Sequence, residues 1–111
     1  MPELINLGEL EQIVLLAILR LENDAYGVSI RNEIELCTER KCSPGALYTT
    51  LDRLEKKAFI LARLGESTPE RGGRAKRFYK LTKEGRSAVV NSQRQFRKLL
   101  QGLDILEEKY G

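Results

Sequence analysis

With 111 residues, 41% of them hydrophobic and 32% charged, the chain can bury one hydrophobic core but not two. It contains no histidine, which removes the commonest metal ligand and the commonest general base together, and with them most hydrolytic and zinc-dependent chemistry. The net charge of +3 is unevenly spread: eleven Lys/Arg against five Asp/Glu make Ser43 to Arg86 net +6, while the remainder is net −3.

The first expected element is a helix from about Glu9 to Glu22, preceded by Gly8 and followed by the turn-forming Asn23-Asp24. Its centre, Ile13 to Leu19, is apolar on every face, so it must be covered on more than one side, by its own domain and by a partner chain. Those seven residues fall far short of the roughly 20 that a membrane-spanning helix needs. The opening Met1-Pro2-Glu3-Leu4 has neither the basic stretch nor the long apolar segment of a secretory signal. A cytoplasmic location with no membrane partner is therefore expected.

Asp24 can cap a second helix whose buried stripe is Tyr26, Ile30, Ile34 and Cys37, at i, i+4, i+8 and i+11. Cys37 then packs in a helix face and Cys42 sits in a turn, both as free thiols in a reducing compartment, with a redox switch as the alternative. Ser43-Pro44 marks the start of a third helix: the Ser side chain can accept an orphan N–H, and Pro at the first helical position loses no bond. Its buried stripe, Leu47, Leu51 and Leu54, leaves Gly45, Tyr48, Thr49, Asp52 and Arg53 turned outward.

Two β-prone segments follow, Phe59 to Leu64 and Lys76 to Leu81, and form a two-stranded hairpin. Between them Gly65 to Arg74, with Pro69 and Gly72-Gly73, is a long loop, and Arg71, Arg74, Lys76 and Arg77 place four cations in seven residues there. A basic loop on a hairpin is a wing. Thr82 caps a last helix running from Lys83 towards Tyr110, with Val89, Phe96, Leu99, Leu103, Leu106 and Tyr110 as a heptad seam that Ser92 interrupts. Such a seam needs another helix, most simply the same helix or the first helix of a second copy.

The expected fold is thus mainly α with a small β-hairpin: a winged helix-turn-helix over residues 1–82, with a long C-terminal dimerisation helix over 83–111 in the same single domain. In that layout the third helix enters the major groove of duplex DNA and the wing reaches phosphates or the neighbouring minor groove. Ser43, Tyr48, Thr49 and Thr50 can donate to phosphate oxygens, and Arg53 or Lys57 can add charge-assisted contacts. Gly45 permits close backbone approach, and Arg71, Gly72, Arg74 and Lys76 are the wing candidates, with Arg77 ranked below them for its strand position. The dimerisation candidates are Leu10, Val14, Val89, Phe96, Leu99, Leu103, Leu106 and Tyr110. Without histidine, a glycine-rich phosphate loop or paired carboxylates in a cleft, no catalytic residue, metal or cofactor is expected. A protein-interaction adaptor docking on an acidic partner is the alternative use of the same scaffold.

Over almost its whole length the chain resembles the PadR family of bacterial transcriptional regulators. The resemblance lies in Leu7-Gly8-Glu9-Leu10-Glu11, Asp24-Ala25-Tyr26-Gly27-Val28, Gly45 through Glu55, Pro69 through Tyr79 and Leu81-Thr82-Lys83-Glu84-Gly85. It implies a homodimer held by the first and last helices, binding a near-palindromic operator and repressing an adjacent gene. The single C-terminal helix is similar to the small subclass. Family members respond to phenolic or drug-like compounds, and some bind flat aromatics at the dimer interface with tryptophan, so a small aromatic ligand is an implied partner; this chain has no Trp. It also has Ala58 where the family commonly has Gly after the recognition helix.

Overall fold

The computed structural model describes residues 7–67 and 75–103. The first helix, α1 (Glu9–Leu21), opens on a one-sided cap in which the Glu11 carboxylate accepts from the Gly8 N–H at 2.8 Å. Val14, Leu15 and Ile18 are wholly enclosed, and α1 touches every other principal element except the first strand closely enough to be the hub of the core. Val14 therefore belongs to the chain's own interior and not to a dimer face, a correction to the sequence expectation.

A 3-10 turn, Glu22–Asp24, leads to α2 (Gly27–Thr38). Asp24 lies inside that turn and is not the cap; Tyr26 is, and the Ser29 hydroxyl accepts from the Tyr26 N–H at 2.9 Å while donating to the Asp24 carbonyl at 2.6 Å. Ile30 and Ile34 are buried, but the last turn of α2 runs past the core and leaves Cys37 exposed. Cys42 is the buried thiol instead, in a loop whose carbonyl at that residue accepts from Arg31 at 2.9 Å. Cys37 is in the helix and Cys42 in the connection, as expected, but their burial is the reverse of the expectation.

The third helix, α3 (Pro44–Lys56), begins as its residues dictate: the Ser43 hydroxyl accepts from the Ala46 N–H at 3.1 Å, with Pro44 in the first helical position. Leu47, Leu51 and Leu54 are buried against α1. At its end the Phe59 N–H reaches the Leu54 carbonyl and the Ala58 N–H the Glu55 carbonyl, each at 2.9 Å, with Ala58 at φ 63°. That pair of bonds is a Schellman closure built on alanine, where glycine would be unstrained.

The chain then forms β1 (Ile60–Ser67) and β2 (Ala75–Leu81), antiparallel, with Ile60 opposite Leu81, Arg63 opposite Phe78 and a register shift between Leu64 and Ser67. The first strand extends beyond the expected Leu64 because the Phe78 ring lies on Gly65, where a Cβ would come within 2.6 Å of it. A one-residue bridge between Tyr26 and Phe78, with the Tyr79 N–H on the Ala25 carbonyl at 2.8 Å, fastens the hairpin to the start of α2.

Thr82 opens α4 (Lys83–Leu100) by accepting from the Gly85 N–H at 3.0 Å and donating to the Ala58 carbonyl at 2.7 Å. Gly85 presses on the Phe59 carbonyl so closely that a Cβ would stand 2.1 Å from that oxygen. Ala88 and Val89 are in the core, which corrects the assignment of Val89 to a dimer seam. Ser92 and Gln93 bond the Gln12 side chain at 2.7 and 3.1 Å and tie α4 to α1, and from Arg94 onward the helix is exposed. It ends at Leu100, shorter than expected, where Gln101 turns to ψ 134° and Gly102 follows at φ 80°; Leu103 lies outside the helix, and Leu106 and Tyr110 lie outside the described residues. Among the described residues no helix is long and apolar enough to cross a membrane.

Two opposite outcomes are expected at the α3–β1 corner. Ala58→Gly relieves the left-handed strain but gains unfolded-state freedom, for a net stabilisation of about 0.5–1 kcal/mol. Gly85→Ala drives a methyl into backbone and costs more than about 2 kcal/mol. Urea unfolding at fixed protomer concentration reads both.

Candidate nucleic-acid interface

Burying Leu47, Thr50, Leu51 and Leu54 fixes which side of α3 faces out. Gly45, Thr49, Asp52 and Lys56 form the middle of the outward strip, Glu55 borders the hairpin, Tyr48 borders the first turn of α2, and Arg53 and Lys57 border α1. Thr50 is a correction: it is 5% exposed, and its hydroxyl donates to the Ala46 carbonyl at 2.8 Å, so it is packed inside and not offered to a groove. The Ser43 hydroxyl is engaged as the helix cap. At Gly45 a Cβ would meet nothing within 4 Å, so the chain's own packing does not require glycine there.

Tyr48 is half exposed, and its ring rests on the first turn of α2: a Cβ on Gly27 would fall 2.2 Å from the Tyr48 hydroxyl oxygen. Lys56, which the apolar pattern gives no reason to single out, lies on the outward strip and pairs with Asp52 at 3.0 Å. Lys57 turns away from that strip and meets the nearly buried Glu11 carboxylate at 2.7 Å.

The hairpin beside α3 carries an ordered set of cations and rings. Arg77 reaches Glu55 of α3 at 3.0 Å, and that contact raises the guanidinium pKa above its usual value. Lys76, on the other face of β2, holds its ammonium 3.7 Å from the centroid of the Tyr26 ring. Tyr26 meets Phe78 edge-on at 5.6 Å between ring centres, and Arg63 lies 4.6 Å over Phe78. Sequence reasoning put Tyr26 in a buried stripe and gave no role to Phe78 or Arg63. No periodicity signal identifies this cluster, since it depends on the strand register and on the α2 cap. Arg71, Gly72 and Arg74 lie outside the described residues.

Of the expected dimer-face residues, Leu10 is half buried against the core, while Phe96, Leu99 and Leu103 are exposed. Leu16, within the all-apolar stretch of α1, is exposed as a partner-covered helix would be, and Leu36 of α2 adds exposed apolar surface that the sequence reading did not include.

Burial of Glu11 would raise its pKa, yet the Lys57 ammonium, the Gly8 N–H and the charge of Arg53 outweigh it and hold the carboxyl below the usual carboxylate range. A carboxylate depressed in this way stabilises the fold above its unfolded pKa, and the contribution is lost as pH falls through the folded value. Stability should therefore decline as pH falls through the depressed folded-state value. Glu11→Gln should cost about 1 kcal/mol at neutral pH and flatten the acid limb of a urea-midpoint profile.

The sequence model of the Transcriptional regulator PadR-like family matches residues 15–91. The chain is 31% identical over 103 residues to uncharacterized protein X of Lysinibacillus sphaericus, covering 91% of this chain and 90% of that one. Among solved structures it is similar to a PadR-like transcription factor of Bacteroides fragilis, at 27% identity and TM-score 0.68 over 81% of this chain and 82% of that one. A PadR family transcription regulator of Clostridium difficile is also similar, at 25% identity and TM-score 0.65 over 80% and 88% of the two chains.

Proposed function

The chain belongs to the PadR-like family of transcriptional regulators, and on that footing we propose that it is a repressor that binds a near-palindromic DNA operator as a homodimer. The observation that carries this reading is the polar strip of α3, from Gly45 through Tyr48, Thr49 and Arg53 to Lys56, supported by a rigid apolar core and bordered by a cationic hairpin. A helix exposing hydroxyls and cations fits the B-DNA major groove, about 12 Å wide, while hairpin cations follow the flanking phosphates. Arg71 and Arg74 add two more cations in the sequence between the two strands. Catalysis has no part in this reading.

Two observations support a second copy as partner: the distal half of α4 leaves Phe96 and Leu99 uncovered, and α1 leaves Leu16 exposed with Leu10 beside it. A small aromatic effector would relieve repression by entering between the copies, where Leu10 and Ile13 line a groove of about 310 Å³. With no Trp in the chain, its seat there would be aliphatic on one side, from Leu10, Ile13 and Ile34, and cationic on the other, from Arg40 and Lys41. Work on chromosomal DNA places the protein in the cytoplasm.

Selection of bound DNA from a random pool tests the reading. A palindrome with half-sites about 34 Å apart is expected, because two α3 helices must enter successive major grooves. With three or four phosphates neutralised per subunit, log affinity should fall against log salt with a slope of about −6, and Arg71→Ala with Arg74→Ala should reduce its magnitude by about 3. Tyr48→Phe should weaken operator binding roughly threefold to tenfold with the urea midpoint unchanged. Recovery of no common sequence, or affinity indifferent to salt, would contradict the proposal and favour a protein-binding adaptor.

A further inference from the structure

We propose that Tyr26 is a positioning residue for DNA binding, whose ring holds the Lys76 ammonium at the seam between the hairpin and the start of α2. The inference rests on the DNA-binding reading above and assigns to it a residue that makes its contribution through another.

The geometry begins in β2. Lys76 and Phe78 are two residues apart and share one face of the strand, while Arg77 on the opposite face is engaged by Glu55. The Tyr26–Phe78 bridge brings the cap of α2 against that first face, so the Tyr26 ring stands edge-on to Phe78 with the Lys76 ammonium 3.7 Å from its centroid. Phe78 is itself fixed by Gly65 beneath it and by the Arg63 guanidinium over it, 4.6 Å away. Tyr26 therefore has a defined orientation, and the lysine on it inherits that orientation.

Its position gives the arrangement a use. Tyr26 directly precedes Gly27, on which the Tyr48 hydroxyl of α3 rests, and Lys76 is two residues after Arg74 in the sequence. Lys76 is thus placed where the hairpin meets the start of α2, on the face opposite the one that Arg77 turns towards α3. A lysine free in solvent loses rotamer freedom when it engages a phosphate. A lysine already held on an aromatic face has lost part of it, and the ring's negative face neutralises none of the formal charge. The ring occupies one side of the ammonium and leaves N–H donors for an oxygen on the other.

The test compares operator affinity and its salt dependence across variants of the full chain. Tyr26→Phe keeps the ring and should bind within about twofold of the parent. Progressively fluorinated phenylalanines at position 26 weaken the ring's negative face with little change of shape, and should lower affinity stepwise to a total loss of roughly fivefold to tenfold per dimer. Lys76→Met should reduce the salt slope by nearly 2 per dimer, and in its background the fluorinated series should become flat. Urea midpoints across the fluorinated series should agree, since the rings are nearly isosteric.

A fluorinated series without effect in the Lys76 background, or one whose effect persists undiminished after Lys76→Met, would overturn the proposal. In either case steep, salt-dependent binding by the parent would leave the DNA-binding reading standing. A parent indifferent to every DNA offered would bring down both.

Discussion

The structure depends on how α3 is seated against α1. A helix with one apolar stripe can bury only that stripe, and here Leu47, Leu51 and Leu54 meet the fully enclosed Val14, Leu15 and Ile18. Each such side chain contributes about 1.5–3 kcal/mol by leaving water. A rotation of α3 large enough to change its outward face would forfeit several of these contributions together, so Gly45, Thr49, Asp52 and Lys56 have no competing orientation. The polar strip is the complement of the core.

The hairpin is held to this helix by short-range devices instead of a second core. The Ala58 closure turns the chain, Thr82 bonds back to both Ala58 and Phe59, and Gly85 lets α4 approach the Phe59 carbonyl. Arg77 spans from β2 to Glu55, and the residues before α2 pair with β2 through Ala25 and Tyr26. An exposed ion pair such as Arg77–Glu55 is worth little alone. Its role is to fix direction beside backbone bonds that supply the attachment. Cations on the hairpin thereby keep a set distance from hydroxyls on α3, which is what reading one stretch of duplex from two elements requires.

Much of this was legible in the residues because local chemistry and the apolar period agree there. Ser43-Pro44 and Thr82 are caps by side-chain type, and Leu47, Leu51 and Leu54 are a stripe by spacing; the structure has both. The misplacements have physical causes. Thr50 falls on the flank of the buried stripe, and a hydroxyl can go inside when it bonds the carbonyl four residues back. Val14 and Val89 are apolar residues whose spacing fits a partner helix and a private core equally well, and the core claims them. Asp24 is a good cap by type, but a 3-10 turn consumes it and passes the position to Tyr26. Spacing along one strand could not show that Lys76 would meet Tyr26, because that contact is set by pairing between segments some fifty residues apart.

The central claim is that twofold-related copies of one outward helix face read duplex DNA. Hydroxyl-radical footprinting of the complex on a selected operator tests it most directly, because it reports where on the duplex, and on which face, the protein sits. The account predicts two equivalent protected windows on one face of the DNA, about 10–10.5 base pairs apart from centre to centre. A single asymmetric window, or uniform weak protection along the fragment, would contradict it.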